Sequence, residues 1–149
     1  MKKLRLILSI ILILFLFSFS AYSQDSSDPD SYGSSYVRGN AKVVDGDTIV
    51  IKNLRIRLFG IDAPELKQPC QEQNGVSWAC GLAAHRKLES LIGTDKTLQC
   101  ALRDVDRYGR LVMQCFEGEV DIGAAMVRSG HALAYLAFSE IYAADEKHA

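Results

Sequence analysis

Histidine, tryptophan and proline are scarce in this 149-residue chain, at three, one and three copies, and it carries only four cysteines. No two cysteines form a Cys-x-x-Cys pair and no histidine stands at ligand spacing from them, which argues against a structural zinc site. Positive charge is missing as an excess, since 17 Lys+Arg face 18 Asp+Glu for a net of −1. Bulk electrostatics therefore do not draw the chain onto nucleic acid, so any phosphate chemistry must rest on local arginines or a bound metal. Long apolar runs are reduced to one, Leu6 to Phe19. That run is short of the ~20 residues of a membrane-spanning helix. No internal repeat is visible.

What surrounds the apolar run gives it a meaning. A basic start, Met1-Lys2-Lys3-Leu4-Arg5, precedes it, and Ala21-Tyr22-Ser23 follows with small residues at the −3 and −1 positions. This is the pattern of a secretory signal peptide over residues 1–23, with a secreted or periplasmic product and no stable membrane association after cleavage. An uncleaved anchor is the alternative. Past residue 23 the chain holds 14 basic against 18 acidic residues, a net of −4. Residues 24–36, QDSSDPDSYGSSY, offer almost nothing to bury and read as a flexible linker. Residues 37–149 then make one domain, expected to be monomeric. In an oxidising compartment the even cysteine count predicts two disulfides. Three connectivities are possible. Cys70–Cys80, closing a short loop, and Cys100–Cys115, stapling neighbouring strands, are preferred.

The chain is organised around Val43 to Glu65, VVDGDTIVIKNLRIRLFGIDAPE. Apolar alternation over Thr48–Ile51 and Leu54–Phe59, with Lys52-Asn53 between, reads as a β-hairpin. A hairpin brings its open ends together, so Asp47 should approach Asp62. Two converging carboxylates need a cation between them, and hard oxygen ligands favour Ca²⁺ or Mg²⁺. Further strands are expected over Val37–Val44, Thr97–Leu102 and Leu111–Phe116. Ser77 is expected to cap a helix from Trp78 to Ile92, with an apolar face of Ala84, Leu88, Leu91 and Ile92 and a stop at Gly93. Asp121 should cap a second helix ending at Ser129-Gly130. His131–Phe138 reads as a short strand or extended segment. Tyr142–His148 reads as a third helix, incomplete or weakly docked. Five strands with a helix between the third and fourth is the order of an OB-fold barrel, an α+β and mainly β architecture.

Three motifs in this order resemble the staphylococcal nuclease-like (thermonuclease) domain family: Val44-Asp45-Gly46-Asp47-Thr48, Arg57-Leu58-Phe59-Gly60-Ile61-Asp62-Ala63-Pro64-Glu65, and Asp106-Arg107-Tyr108-Gly109-Arg110. The resemblance covers about Ala41 to Ala149, and the cysteines with Trp78-Ala79-Cys80-Gly81 look like a secreted bacterial branch. It implies a five-stranded OB barrel with about three helices. It also implies Ca²⁺ on Asp47, Asp62 and the Ala63 carbonyl, Glu65 as general base, and the scissile phosphate held by Arg57 and Arg110 with Tyr108 beside it. The implied activity is endo/exo cleavage of single-stranded DNA and RNA to 3′-phosphate ends. The residue types suit that chemistry: a metal on carboxylates is a Lewis acid and template, a glutamate takes a proton from water, and guanidinium forks grip phosphate oxygens bidentately. No histidine is required, so His85, His131 and His148 are read as structural, His85 on the helix surface and Trp78 in core or loop packing. Lys52-Asn53 is a shorter hairpin tip than in the family member best known, and the cysteine-bearing loop after Glu65 differs. Leu136 and Phe138 stand where that member has tyrosines near the bound base. The alternative from another class is an OB module that binds nucleic acid or polysaccharide without turnover.

Overall fold

The computed structural model describes residues 35–149; the expected signal peptide and all but the last two residues of the linker lie outside them. β1 (Tyr36–Val43) leads into the hairpin of β2 (Thr48–Ile51) and β3 (Leu54–Leu58). Its tip is the expected Lys52-Asn53, with φ of 49° and 67°. Positive φ at both central residues is what a two-residue type I′ turn requires, and Asn tolerates it best. The short elements β4 (Ile61–Asp62), β5 (Cys70–Gln71) and β6 (Ser77–Trp78) precede helix α1 (Cys80–Ile92). Then come β7 (Thr97–Val105), β8 (Leu111–Glu117), β9 (Val120–Asp121), α2 (Ile122–Arg128), β10 (Leu133–Ala134) and α3 (Ala143–Glu146).

Antiparallel pairing runs β3-β2-β1-β7-β8. A parallel contact then sets Ile56, Arg57 and Leu58 of β3 opposite Leu111, Val112 and Met113 of β8. That contact closes five strands into the predicted barrel. Its interior is Ile49, Ile51, Ile56, Leu58, Leu98 and Met113, and α1 adds Ala84, Leu88 and Ile92 to the same cluster. Closure removes the sheet edges of the hairpin and holds β3 rigidly between β2 and β8.

Several local expectations are corrected. The first helix starts at Cys80 with Ala79 at its N-cap and no side-chain cap. Ser77 is drawn instead into pairing with Gln71, and the Gly81 N–H finds the Gln68 carbonyl at 3.2 Å. Strand β7 runs three residues further than expected, with a register shift between Leu102 and Asp104. Arg103 therefore lies within the strand and donates from Nε to Gln114 Oε1 at 3.0 Å. His85 is mostly covered: its side chain is 18% exposed, with Nε2 3.4 Å from Glu89 and a buried Nδ1 that has no hydrogen-bond partner among the described residues. Trp78 lies in no core and is 44% exposed.

Asp121 caps α2 as expected, accepting from the Ala124 N–H at 3.2 Å. The same carboxylate also accepts from Gln114 Nε2 at 2.7 Å and from the Tyr142 hydroxyl at 2.9 Å. Burial and the Asp121 charge push the Tyr142 hydroxyl up, so it remains a proton donor. Tyr142 is buried and lies against Gly123, where a Cβ would sit 2.9 Å from its ring. Together with Arg128 Nε to Asp145 at 2.5 Å, this ties the four-residue α3 to the domain.

The structure contains both preferred disulfides, Cys70–Cys80 and Cys100–Cys115. The second joins residues directly opposite each other on β7 and β8. Replacing Cys100 and Cys115 by alanine is expected to destabilise the domain by ~3 kcal/mol, the loop-closure effect for a separation of this size. A urea denaturation midpoint unchanged from the parent would contradict that.

Candidate active site

The site starts from a turn whose shape is set by glycine. Asp45 accepts the Asp47 N–H at 3.2 Å, and Val44 N–H reaches the Thr48 carbonyl at 2.9 Å. Between the two acids, a Cβ on Gly46 would lie 2.7 Å from the Ala63 Cβ and 2.8 Å from the Ala84 Cβ. Only glycine lets this turn, the Asp62-Ala63 segment and α1 come so close. Gly46→Val is expected to force the two acid-bearing segments apart, costing ~1–3 kcal/mol by overpacking. Any activity should fall with it; a variant with parental stability and turnover would show that the close approach is unimportant.

Asp47 and Asp62 do converge, as expected, and the group between them is Arg57. Its Nη1 lies 2.9 Å from Asp47 Oδ2 and its Nη2 2.8 Å from Asp62 Oδ1. Barrel register explains the placement: Arg57 stands opposite Thr48 across β2 and β3, and Gly60, at φ 74°, turns the chain into β4 so that Asp62 returns beside it. The Asp47 side chain is 7% exposed and that of Arg57 18%, against 58% for Asp62. Burial pushes the Asp47 carboxyl up to about 6, against the lowering pull of Arg57 and the Thr48 hydroxyl. Burial also works against the Arg57 charge, but Asp47 and Asp62 outweigh it and hold the guanidinium above its ordinary value.

This donor set fits a hard divalent cation. A buried carboxylate and a second carboxylate on the same guanidinium bring hard oxygen donors together, with the Ala63 carbonyl next in the chain. Among the described residues no cluster of three or more His, Cys, Asp or Glu side chains is positioned for a metal. A Ca²⁺ ion here would therefore complete its shell of roughly 6–8 oxygens largely with backbone and water.

Glu65 is exposed on the turn that follows β4 and takes no part in the Arg57 fork. Its backbone is closely held. Its carbonyl accepts from the Gln68 N–H at 2.7 Å, and its own N–H donates to Gln68 Oε1 at 3.2 Å. Gly81 lies directly against that carbonyl, where a Cβ would meet the oxygen at 1.8 Å. The start of α1, fastened by the Cys70–Cys80 disulfide, thus sets where Glu65 stands.

Arg110 and Tyr108 come from the turn between β7 and β8. Asp106 Oδ1 accepts from the Tyr108 and Arg110 N–H groups, each at 2.9 Å, while its Oδ2 takes Arg110 Nε at 2.7 Å. Desolvation works against the Asp106 charge, but these donors outweigh it and hold the carboxyl below its usual range. The Asp106–Arg110 pair fixes the guanidinium through Nε, and Arg110 lines a cavity. That cavity, of about 470 Å³, is lined by Arg57, Arg110, Tyr108, Tyr135 and Phe138 among others. Tyr108 is 72% exposed, with the Arg107 and Arg110 guanidinium carbons 5.1 and 5.7 Å from its ring centre.

Leu136 is 53% exposed and does not line this cavity; Tyr135 does. Its N–H donates to the Gly60 carbonyl at 2.9 Å, and its ring stacks on Phe138 with centroids 5.6 Å apart. Sequence reasoning missed Tyr135 because its place depends on β10 pairing with β4. The aromatic content of His131–Phe138 was the only local signal. Asp45, which carries no assigned role in the first motif, is 8% exposed and shapes the Asp47 turn.

Comparison with known proteins identifies the family. The family model described as "Staphylococcal nuclease homologue" matches residues 55–149. The chain is 35% identical over 96 residues to Succinoglycan biosynthesis protein ExoI of Rhizobium meliloti, covering 64% of this chain and 50% of that protein. It is 34% identical over 86 residues to Probable staphylococcal-like nuclease CAN3 of Oryza sativa subsp. japonica, covering 58% of this chain and 20% of the other. An uncharacterized endonuclease of Escherichia coli is 35% identical over 99 residues, with 63% and 58% covered. The chain thus spans about half the length, or less, of most of these relatives.

Proposed function

Because the chain belongs to the staphylococcal nuclease homologue family, we propose that it is a secreted or periplasmic, Ca²⁺-dependent nuclease that hydrolyses phosphodiester bonds in single-stranded DNA or RNA. The observation that carries this reading is the meeting of Asp47 and Asp62 on Arg57, which itself lines a cavity with Arg110 and three aromatic rings. Asp47 and Asp62, with the Ala63 carbonyl, would hold the metal, and a Ca²⁺ ion bound there would supply Lewis-acid polarisation of a phosphate oxygen.

The chain's own groups do the rest. Arg110, oriented through Nε by Asp106, turns its outer fork to the equatorial phosphate oxygens, and Arg57 faces them from β3. Such preorganised donors matter most as charge builds in the transition state. Glu65 accepts the proton of the attacking water. Its exposed side chain on a backbone fixed by Gln68 and Gly81 suits a group that must reach solvent water. Tyr108, Tyr135 and Phe138 offer faces on which an unpaired base stacks, which favours a single strand over a stacked duplex.

The deciding experiment incubates the oxidised protein with single-stranded DNA and RNA, with Ca²⁺ and with excess chelator. Cleavage that needs Ca²⁺ is expected. A folded protein that binds these strands without cutting them would replace the nuclease reading with that of a binding module.

A further inference from the structure

One two-stranded ribbon separates two cavities. β4 and β10 pair with Ile61 opposite Ala134 and Asp62 opposite Leu133. On one side lies the cavity of Arg57, Arg110 and Tyr135. On the other lies a second cavity of about 300 Å³, whose wall begins at Asp62, Ala63 and Pro64 and continues to Trp78, His131 and Leu133. Asp62 belongs to both regions: its carboxylate grips Arg57 at 2.8 Å, and the residue lines the second cavity. A strand whose phosphate is held at Arg57, beside Asp62, would therefore reach either cavity.

The second cavity has the surface chemistry of a base site. Trp78 is the only tryptophan of the chain and is 44% exposed. It is also firmly mounted, since it pairs with Cys70 across β5 and β6 and that cysteine is bonded to Cys80, two residues beyond it. A large aromatic held rigid and open to solvent loses little freedom when a ring stacks on it. His131 is anchored on one edge, with Nδ1 2.7 Å from the Ser129 carbonyl and 3.1 Å from its hydroxyl. Its Nε2 has no hydrogen-bond partner among the described residues, and the residue lines the cavity. A π-face beside hydrogen-bonding edges matches a nucleobase better than a purely apolar occupant.

We propose that this cavity is a second nucleotide subsite. It takes the nucleotide across the scissile phosphate from the one in the Arg57–Tyr135 cavity, with its base stacked on Trp78. The proposal rests on the nuclease reading, and the two are separable by experiment. As the sole tryptophan, Trp78 makes intrinsic fluorescence a direct report on this cavity. The full chain carrying Glu65→Gln is titrated in Ca²⁺ with a short oligothymidylate and, separately, with thymidine 5′-monophosphate. The oligonucleotide should quench the tryptophan saturably and the mononucleotide far less. In steady-state cleavage Trp78→Ala should raise KM by on the order of tenfold, as expected for one lost base–aromatic stack, and Trp78→Phe should recover most of it. Cleavage by the parent with no quenching and an unchanged KM in Trp78→Ala would overturn the subsite and leave the nuclease reading intact. Quenching without any cleavage would uphold the subsite as a nucleic-acid surface and remove the nuclease reading. Neither quenching nor cleavage would overturn both.

Discussion

Glu65→Gln is expected to lower kcat by ~10²–10⁴, the usual contribution of a positioned general base, while leaving the fold untouched. The side chain is exposed, and the turn that carries it is built from backbone bonds to Gln68 and from the close approach of Gly81, none of which involves the carboxylate. Glutamine keeps the volume and removes the basicity. Single-turnover cleavage of a labelled single strand, with circular dichroism and a denaturation midpoint on the same sample, separates chemistry from folding. Turnover near that of the parent would remove Glu65 from the mechanism. A lowered midpoint would show instead that the carboxylate has a structural partner.

Arg57→Lys is expected to cost ~10²–10³ in kcat, the loss typical of one preorganised transition-state donor. Arginine presents two terminal nitrogens in a plane, here 2.9 Å from Asp47 and 2.8 Å from Asp62. Lysine presents a single point charge, so it cannot span both carboxylates or hold two phosphate oxygens. Lysine does retain a positive charge near the buried Asp47, and the fold should survive. Arg57→Ala is different: it strands that carboxylate and should also destabilise the domain, by at most about 3 kcal/mol for a partly exposed cluster. A lysine variant as active as the parent would mean that charge alone is needed at this position. Equal stability of the parent and the alanine variant would mean that Asp47 finds another partner.

The parts of this protein that were legible in sequence are those decided by neighbours along the chain. The period-two pattern of Thr48–Ile51 and Leu54–Leu58 specifies a hairpin because alternate side chains must face one core. Lys52-Asn53 makes its turn because Asn accepts positive φ. Asp121 ahead of an apolar helical face announces a cap, and its carboxylate does receive the Ala124 N–H. The Asp47–Asp62 convergence was legible for the same reason, since a hairpin joins its own ends. The start of α1 was misread because Ser77 had two local futures, N-cap or strand, and a pairing with Gln71 and a disulfide at Cys80 decided between them. Propensity cannot weigh a covalent link ten residues away.

By itself the sequence determined the barrel strands and the convergence of the acid pair, because these follow from periodicity and turn chemistry, and it made Cys70–Cys80 with Cys100–Cys115 the preferred of three pairings; the fold decided that Arg57 stands between the acids. Only the tertiary structure decided that Tyr135 rather than Leu136 faces the Arg57 cavity, and that Trp78 stands open beside a second cavity. It also decided that Gly46 and Gly81 must be bare so that α1 can press against the acid-bearing turns. The physical reason is the same in each case. These placements depend on β10 meeting β4 and on a helix meeting two loops, contacts between segments far apart in the chain, and no local pattern encodes which of two adjacent side chains such a contact will turn toward the site.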